Sequence, residues 1–140
     1  MSYKPYKPWK ALLYSVLIWL IGFIWGTMVF MTPALMELPA VPYISKYPAI
    51  SFPLIAAYFI IGFLITRDYL DDTEKKAPEG LRFGAVIFIV IFILDVLIYF
   101  ILFKSQDYFF YFSIWFSYIM SIAYPWLIGL WLERKKGIQR

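Results

Sequence analysis

Three observations predict an all-α membrane protein: a single domain folded as an antiparallel bundle of four transmembrane helices. Of the 140 residues, 63% are hydrophobic and only 16% are charged, and the mean hydropathy is +0.73. A soluble domain is about 45–50% apolar and about 25% charged, and a globule of this size has too little interior to hide such an excess. Four apolar stretches approach the roughly 20 residues that a helix needs to cross a hydrocarbon core of about 30 Å. Lys and Arg concentrate in alternate segments between those stretches. Together these exclude a soluble enzyme and a disordered tail. The absence of Cys removes disulfide and thiol chemistry. The absence of His removes the commonest general base and the usual haem, zinc and copper ligand. No metal or cofactor is therefore expected.

The first span covers 11–31 and carries no charge. Gly22 and Gly26 form a GxxxG pair, followed by Thr27, that would let this helix cross another closely, within the bundle or between copies. Tyr3, Tyr6, Trp9 and Tyr14 read as an interfacial aromatic belt. The loop 32–48 carries Pro33, Pro39, Pro42 and Pro48 among apolar residues, a pattern that resists helix and suggests a segment folded back onto the bundle. The second span, 49–66, is uncharged and places Tyr58 near its middle, where a hydroxyl needs a partner.

That span is expected to run on for a turn or two into a charged loop, 67–82, before Pro78 and Gly80 break it. Asp68, Asp71 and Asp72 share one helical face. A surface magnesium site of the kind that holds a lipid diphosphate needs a second acidic cluster, which is missing, so these residues read as a solvated face beside Lys75 and Lys76. The third span, 83–103, is interrupted by Asp95. The fourth, 109–132, carries Ser113, Ser117 and Ser121 at i, i+4 and i+8, then Pro125, which deprives the Ser121 carbonyl of its helical donor and should kink the helix. Tyr108 and Tyr111 at its start, and Trp126 and Trp131 near its end, read as further belt residues. The run Ile60–Arg67 resembles Leu127–Arg134, which would suit two tandem hairpins, but the first and third spans do not align at the same offset.

Orientation follows from charge. The N-terminal segment, the loop 67–82 and the C-terminus hold 11 of the 13 Lys and Arg residues, against Lys46 and Lys104 elsewhere. Both termini are thus expected on the cytoplasmic side, in a plasma or inner membrane. The same disposition accounts for the net charge of +4 without a nucleic-acid partner.

Asp95 is the sharpest functional signal. A charged acid inside a span costs about 2.5–3.5 kcal/mol on insertion scales, so it is expected to face the bundle or a wet cavity. It could carry a proton or cation, or serve as counter-ion to a cationic substrate; alternatively it pins helices together by a hydrogen bond. Ser117 sits near its depth, with Ser121 and Tyr58 as further candidate partners, while Gly22, Gly26, Ser113 and Pro125 read as packing positions. These features point first to a proton- or cation-linked transporter or channel component, probing the bilayer as its solvent and self-associating. An accessory or assembly subunit bound to other membrane proteins is the second reading. A lipid-processing enzyme comes last, because no nucleophile–base pair is legible.

Overall fold

The computed structural model describes residues 7–31, 48–104, 106–110 and 112–138. They form four α-helices: α1 (Pro8–Met31), α2 (Pro48–Leu70), α3 (Lys76–Asp95) and α4 (Phe112–Ile138). A π-helical segment, Val96–Leu102, continues α3, and a 3-10 turn, Gln106–Phe110, precedes α4. Each α-helix is long and apolar enough to cross a membrane. The proline-rich loop expected to fold back over the bundle, residues 32–47, lies outside the described residues.

Proline sets the helix starts. Pro8 and Pro48 are the first residues of α1 and α2, where the missing N–H costs nothing because no carbonyl precedes it in the helix. Pro78 lies in the first turn of α3 for the same reason. This corrects the expectation that Pro78 and Gly80 break the chain: α3 begins at Lys76, before both. The fourth helix starts at Phe112, three residues later than expected, because residues up to Phe110 form the 3-10 turn.

α1 packs on α2 and α3, and α4 packs on α2 and α3; among the described residues the backbones of α1 and α4 do not approach each other closely. The ring order is therefore α1–α2–α4–α3. The start of α1, the end of α2, the start of α3 and the end of α4 meet at one end of the bundle, here termed the charged end. Lys10 pairs with Asp68 at 2.5 Å and Lys7 with Asp72 at 3.0 Å, joining α1 to α2. Tyr14 also donates to Asp68. Lys76, only 4% exposed, donates to the carbonyls of Leu70 and Asp71, so a cation from α3 caps the last turn of α2. Glu133 of α4 accepts from the Ala77 N–H at 3.0 Å, so an anion caps the first turn of α3. Of the three acids predicted to form a solvated face, Asp68 pairs with Lys10 of α1 and Asp72 with Lys7 just before it, and all three remain exposed.

The α3–α4 seam is the closest. A Cβ on Gly80 would overlap the Pro125 carbonyl, and one on Gly129 would overlap the Lys76 carbonyl. A Cβ on Gly84 would stand 2.6 Å from the Ile122 oxygen. Only glycine permits this backbone approach. Beside it lies a cluster of Ala11, Ile65, Tyr69, Leu70, Phe83 and Ile87, with Tyr69 and Phe83 stacked at 4.2 Å. Outward-facing Leu13, Leu17, Leu20 and Ile24 on α1 remain exposed, as suits a helix bordered by lipid.

Candidate functional site

Asp95 is the last residue of α3 and is 3% exposed. Its carboxylate accepts three hydrogen bonds from three other elements. Trp19 of α1 donates its indole N–H to Oδ1 at 2.8 Å. The Tyr118 hydroxyl of α4 donates to Oδ2 at 2.6 Å, and the Tyr108 hydroxyl of the 3-10 turn to the same oxygen at 3.1 Å. An indole nitrogen can only donate, so Oδ1 is held as an acceptor. A carboxylate offers about four acceptor positions; these bonds fill three and leave one on Oδ1. None of the ion pairs among the described residues involves Asp95.

The backbone around Asp95 brings these donors in. The π-helical segment holds more than four residues per closed turn, shown by the Phe103 N–H reaching the Ile98 carbonyl five residues back at 2.9 Å. Tyr99, four residues after Asp95, therefore returns close to its side of the helix. Lys104 then adopts φ 52°, a left-handed conformation that ends the helix and reverses the chain. The reversal lays Tyr108 flat on Tyr99, with centroids 4.2 Å apart and planes 6° from parallel, and points the Tyr108 hydroxyl at Asp95. Phe92 and Phe88 meet the Tyr118 ring edge to face at 5.8 and 5.6 Å, fixing its direction.

Beside the carboxylate lies a cavity of about 310 Å³ lined by all four helices. The predicted positions Asp95, Tyr58, Ser117 and Ser121 line it, as do Gly22 and Pro125. Neither serine is among the donors to Asp95. The Ser117 hydroxyl donates to the Ile114 carbonyl and that of Ser121 to the Tyr118 carbonyl, each at 2.7 Å. A hydroxyl on a helix finds the carbonyl of the preceding turn at no cost in reach, and here that local bond prevails. Tyr58 is likewise absent from the three donors. The Ser121 carbonyl, freed by Pro125, does not face the acid: it lies 3.0 Å from where a Cβ on Gly84 would stand, against α3. A Cβ on Gly26 would meet nothing within 4 Å in this chain, whereas one on Gly80, Gly84 or Gly129 would run into a neighbouring backbone. The side chain of Ser113 lies outside the described residues.

Trp19, Tyr108 and Tyr118 are the residues that composition did not single out. Tyr108, taken as an interfacial anchor, is instead buried and bonded to the acid. The available signal was the rule that an indole or phenol deep in an apolar span needs a polar partner, which applies to Trp19 and Tyr118 as much as to Tyr58.

The arrangement is an acid whose neutral donors stabilise negative charge, set in the wall of an aromatic cavity between helices. It can hold a proton, or the positive group of a small molecule. Set against protein-family models, curated proteins and solved structures, the chain matches none.

Proposed function

We propose that this chain is a small integral membrane protein that moves or binds a proton or another cation through Asp95, as a transporter or channel component. The observation that carries the reading is the acid itself. Burying a carboxylate in an apolar span is costly, yet Asp95 is buried with three converging donors and no cationic partner among the described residues, at the edge of a cavity. Structural glue would be served by one hydrogen bond from a neutral side chain. Three donors aimed at one carboxylate exceed what such glue requires, and they leave one acceptor position on Oδ1 for an incoming proton or cation.

In this reading both termini and the loop 67–82 face the cytoplasm, because 11 of 13 Lys and Arg residues lie there. The charged end is then the cytoplasmic end. Asp95 lies toward the opposite side, the cavity runs from it toward Thr66 and Pro125, and self-association would extend the passage that four helices alone can enclose.

The test is flux into proteoliposomes loaded with a pH-sensitive dye, driven by a proton or alkali-cation gradient. Wild-type protein should carry a flux that Asp95→Asn lowers at least tenfold while the variant keeps its helical content and thermal midpoint within a few degrees. Equal flux from wild type and a folded Asp95→Asn would overturn the reading.

A further inference from the structure

We infer that the cavity beside Asp95 is a binding site for a small organic cation, an alkyl- or arylammonium, with the ring faces around it acting together with the carboxylate. The inference rests on the reading of Asp95 as a ligand-binding acid and names the class of ligand.

Three features of the cavity carry it. Its size, about 310 Å³, falls at the small end of the range for ligand pockets, and far exceeds what a proton or a dehydrated alkali ion requires. Its wall is rich in aromatic rings. Trp19 and Phe23 stack at 4.9 Å with planes 15° apart, and Tyr99 stacks on Tyr108; Tyr58 and Tyr124 line it as well. Among the described residues that line it there is no Lys and no Arg, and Asp95 is the one carboxylate. Ring faces carry negative potential and attract an ammonium within about 6 Å of their centroids. A site combining such faces with one acid and no competing cation is complementary to a bulky positive head.

The carboxylate has room for the interaction. Its three donors leave one acceptor position on Oδ1, which a primary to tertiary ammonium N–H can take; a quaternary ammonium would sit against the rings with the acid as counter-ion. A neutral molecule of the same shape would gain the burial and lose the charge.

The discriminating pair is benzyltrimethylammonium and its uncharged isostere neopentylbenzene, measured by calorimetry on the full chain in lipid nanodiscs, with empty nanodiscs subtracted. Benzyltrimethylammonium should bind with about one site per chain, and neopentylbenzene at least tenfold more weakly. Asp95→Asn should weaken the ammonium at least tenfold and leave the neutral compound unchanged. Phe23→Leu removes a ring face without touching any bond to Asp95, so it reads the site even if Asp95→Asn fails to fold; it should weaken the ammonium roughly three- to tenfold. Equal binding of the two compounds, or full affinity in a folded Asp95→Asn, would overturn the inference. Asp95-dependent proton or alkali-cation flux with no ammonium binding would overturn this inference alone and leave the transport reading intact. Ammonium binding without any Asp95-dependent flux would overturn transport and leave the organic-cation site standing.

Discussion

The two ends of the bundle solve the problem of joining apolar helices in opposite ways. At the charged end, backbones touch: Gly80, Gly84 and Gly129 let α3 and α4 meet without side chains between them, and Lys76 and Glu133 cap the neighbouring helix ends. Around Asp95 the helices are held apart by rings, and the gap between them is a cavity. Packing in lipid gains little from burying apolar surface, so close contact and hydrogen bonds have to supply the specificity. The charged end uses both to fix the fold. The aromatic end gives up contact for space and keeps the hydrogen bonds, which converge on one acid. In the proposed reading, stability rests on the first arrangement and cation binding on the second.

Substitutions at the charged end should therefore act on folding and leave the pocket's chemistry alone, and the reverse should hold at Asp95. The largest effect is expected from Gly84→Val. Its side chain would enter the Ile122 backbone and force α3 from α4, at a cost of about 3 kcal/mol or more, read as a loss of folded protein in detergent titration. Lys76→Met comes next. It leaves the carbonyls of Leu70 and Asp71 without their donor in a buried position, which should cost about 1–3 kcal/mol and lower the thermal midpoint while any flux per folded molecule stays unchanged. Tyr118→Phe removes the shortest bond to Asp95. It should cost roughly 1.5–3 kcal/mol if the carboxylate is charged and nearer 1 if it is neutral, and unlike Lys76→Met it should alter flux or cation affinity; an unaltered pocket would break the division between the two ends. The smallest effect is expected at Lys104. Lys104→Gly relieves a left-handed residue and should be neutral or stabilising by up to about 1 kcal/mol, whereas Lys104→Val should destabilise and, by displacing Tyr108, weaken the site.

Much of this division was legible in the sequence, and the failures are informative. Four spans follow from composition and length, and Asp95 stands out because a lone acid in an apolar helix is expensive. Its partners did not follow from the same reasoning. Ser117 and Ser121 have the right depth and spacing, but a serine on a helix satisfies itself on the preceding turn, as both do here. Tyr108 was hidden by position: a tyrosine next to a span looks like an interfacial anchor until a reversed turn carries it inward, and neither the π-helical segment nor the left-handed Lys104 leaves a mark in composition. The glycines show the same limit. Gly80 after Pro78 reads as a break because both residues disfavour helix, but proline is tolerated in a first turn and glycine is required where another backbone lies against it. Gly26 sits in the spacing pattern for a close crossing yet has no neighbour within 4 Å of its Cβ position in this chain, because spacing does not reveal which face a neighbour occupies. Local preference located the helices; long-range contacts decided what each polar or small residue does.

The most direct test is infrared spectroscopy of the carboxyl group of Asp95 in the lipid-reconstituted protein, isolated as the difference between wild type and Asp95→Asn. If Asp95 is a working acid beside an accessible cavity, its band should interconvert between carboxyl and carboxylate as bulk pH is stepped across about pH 4 to 10, and the carboxyl form should shift promptly on exchange into heavy water. A band that keeps one protonation state over that whole range and does not exchange would mark a sealed structural bond, and would contradict the account.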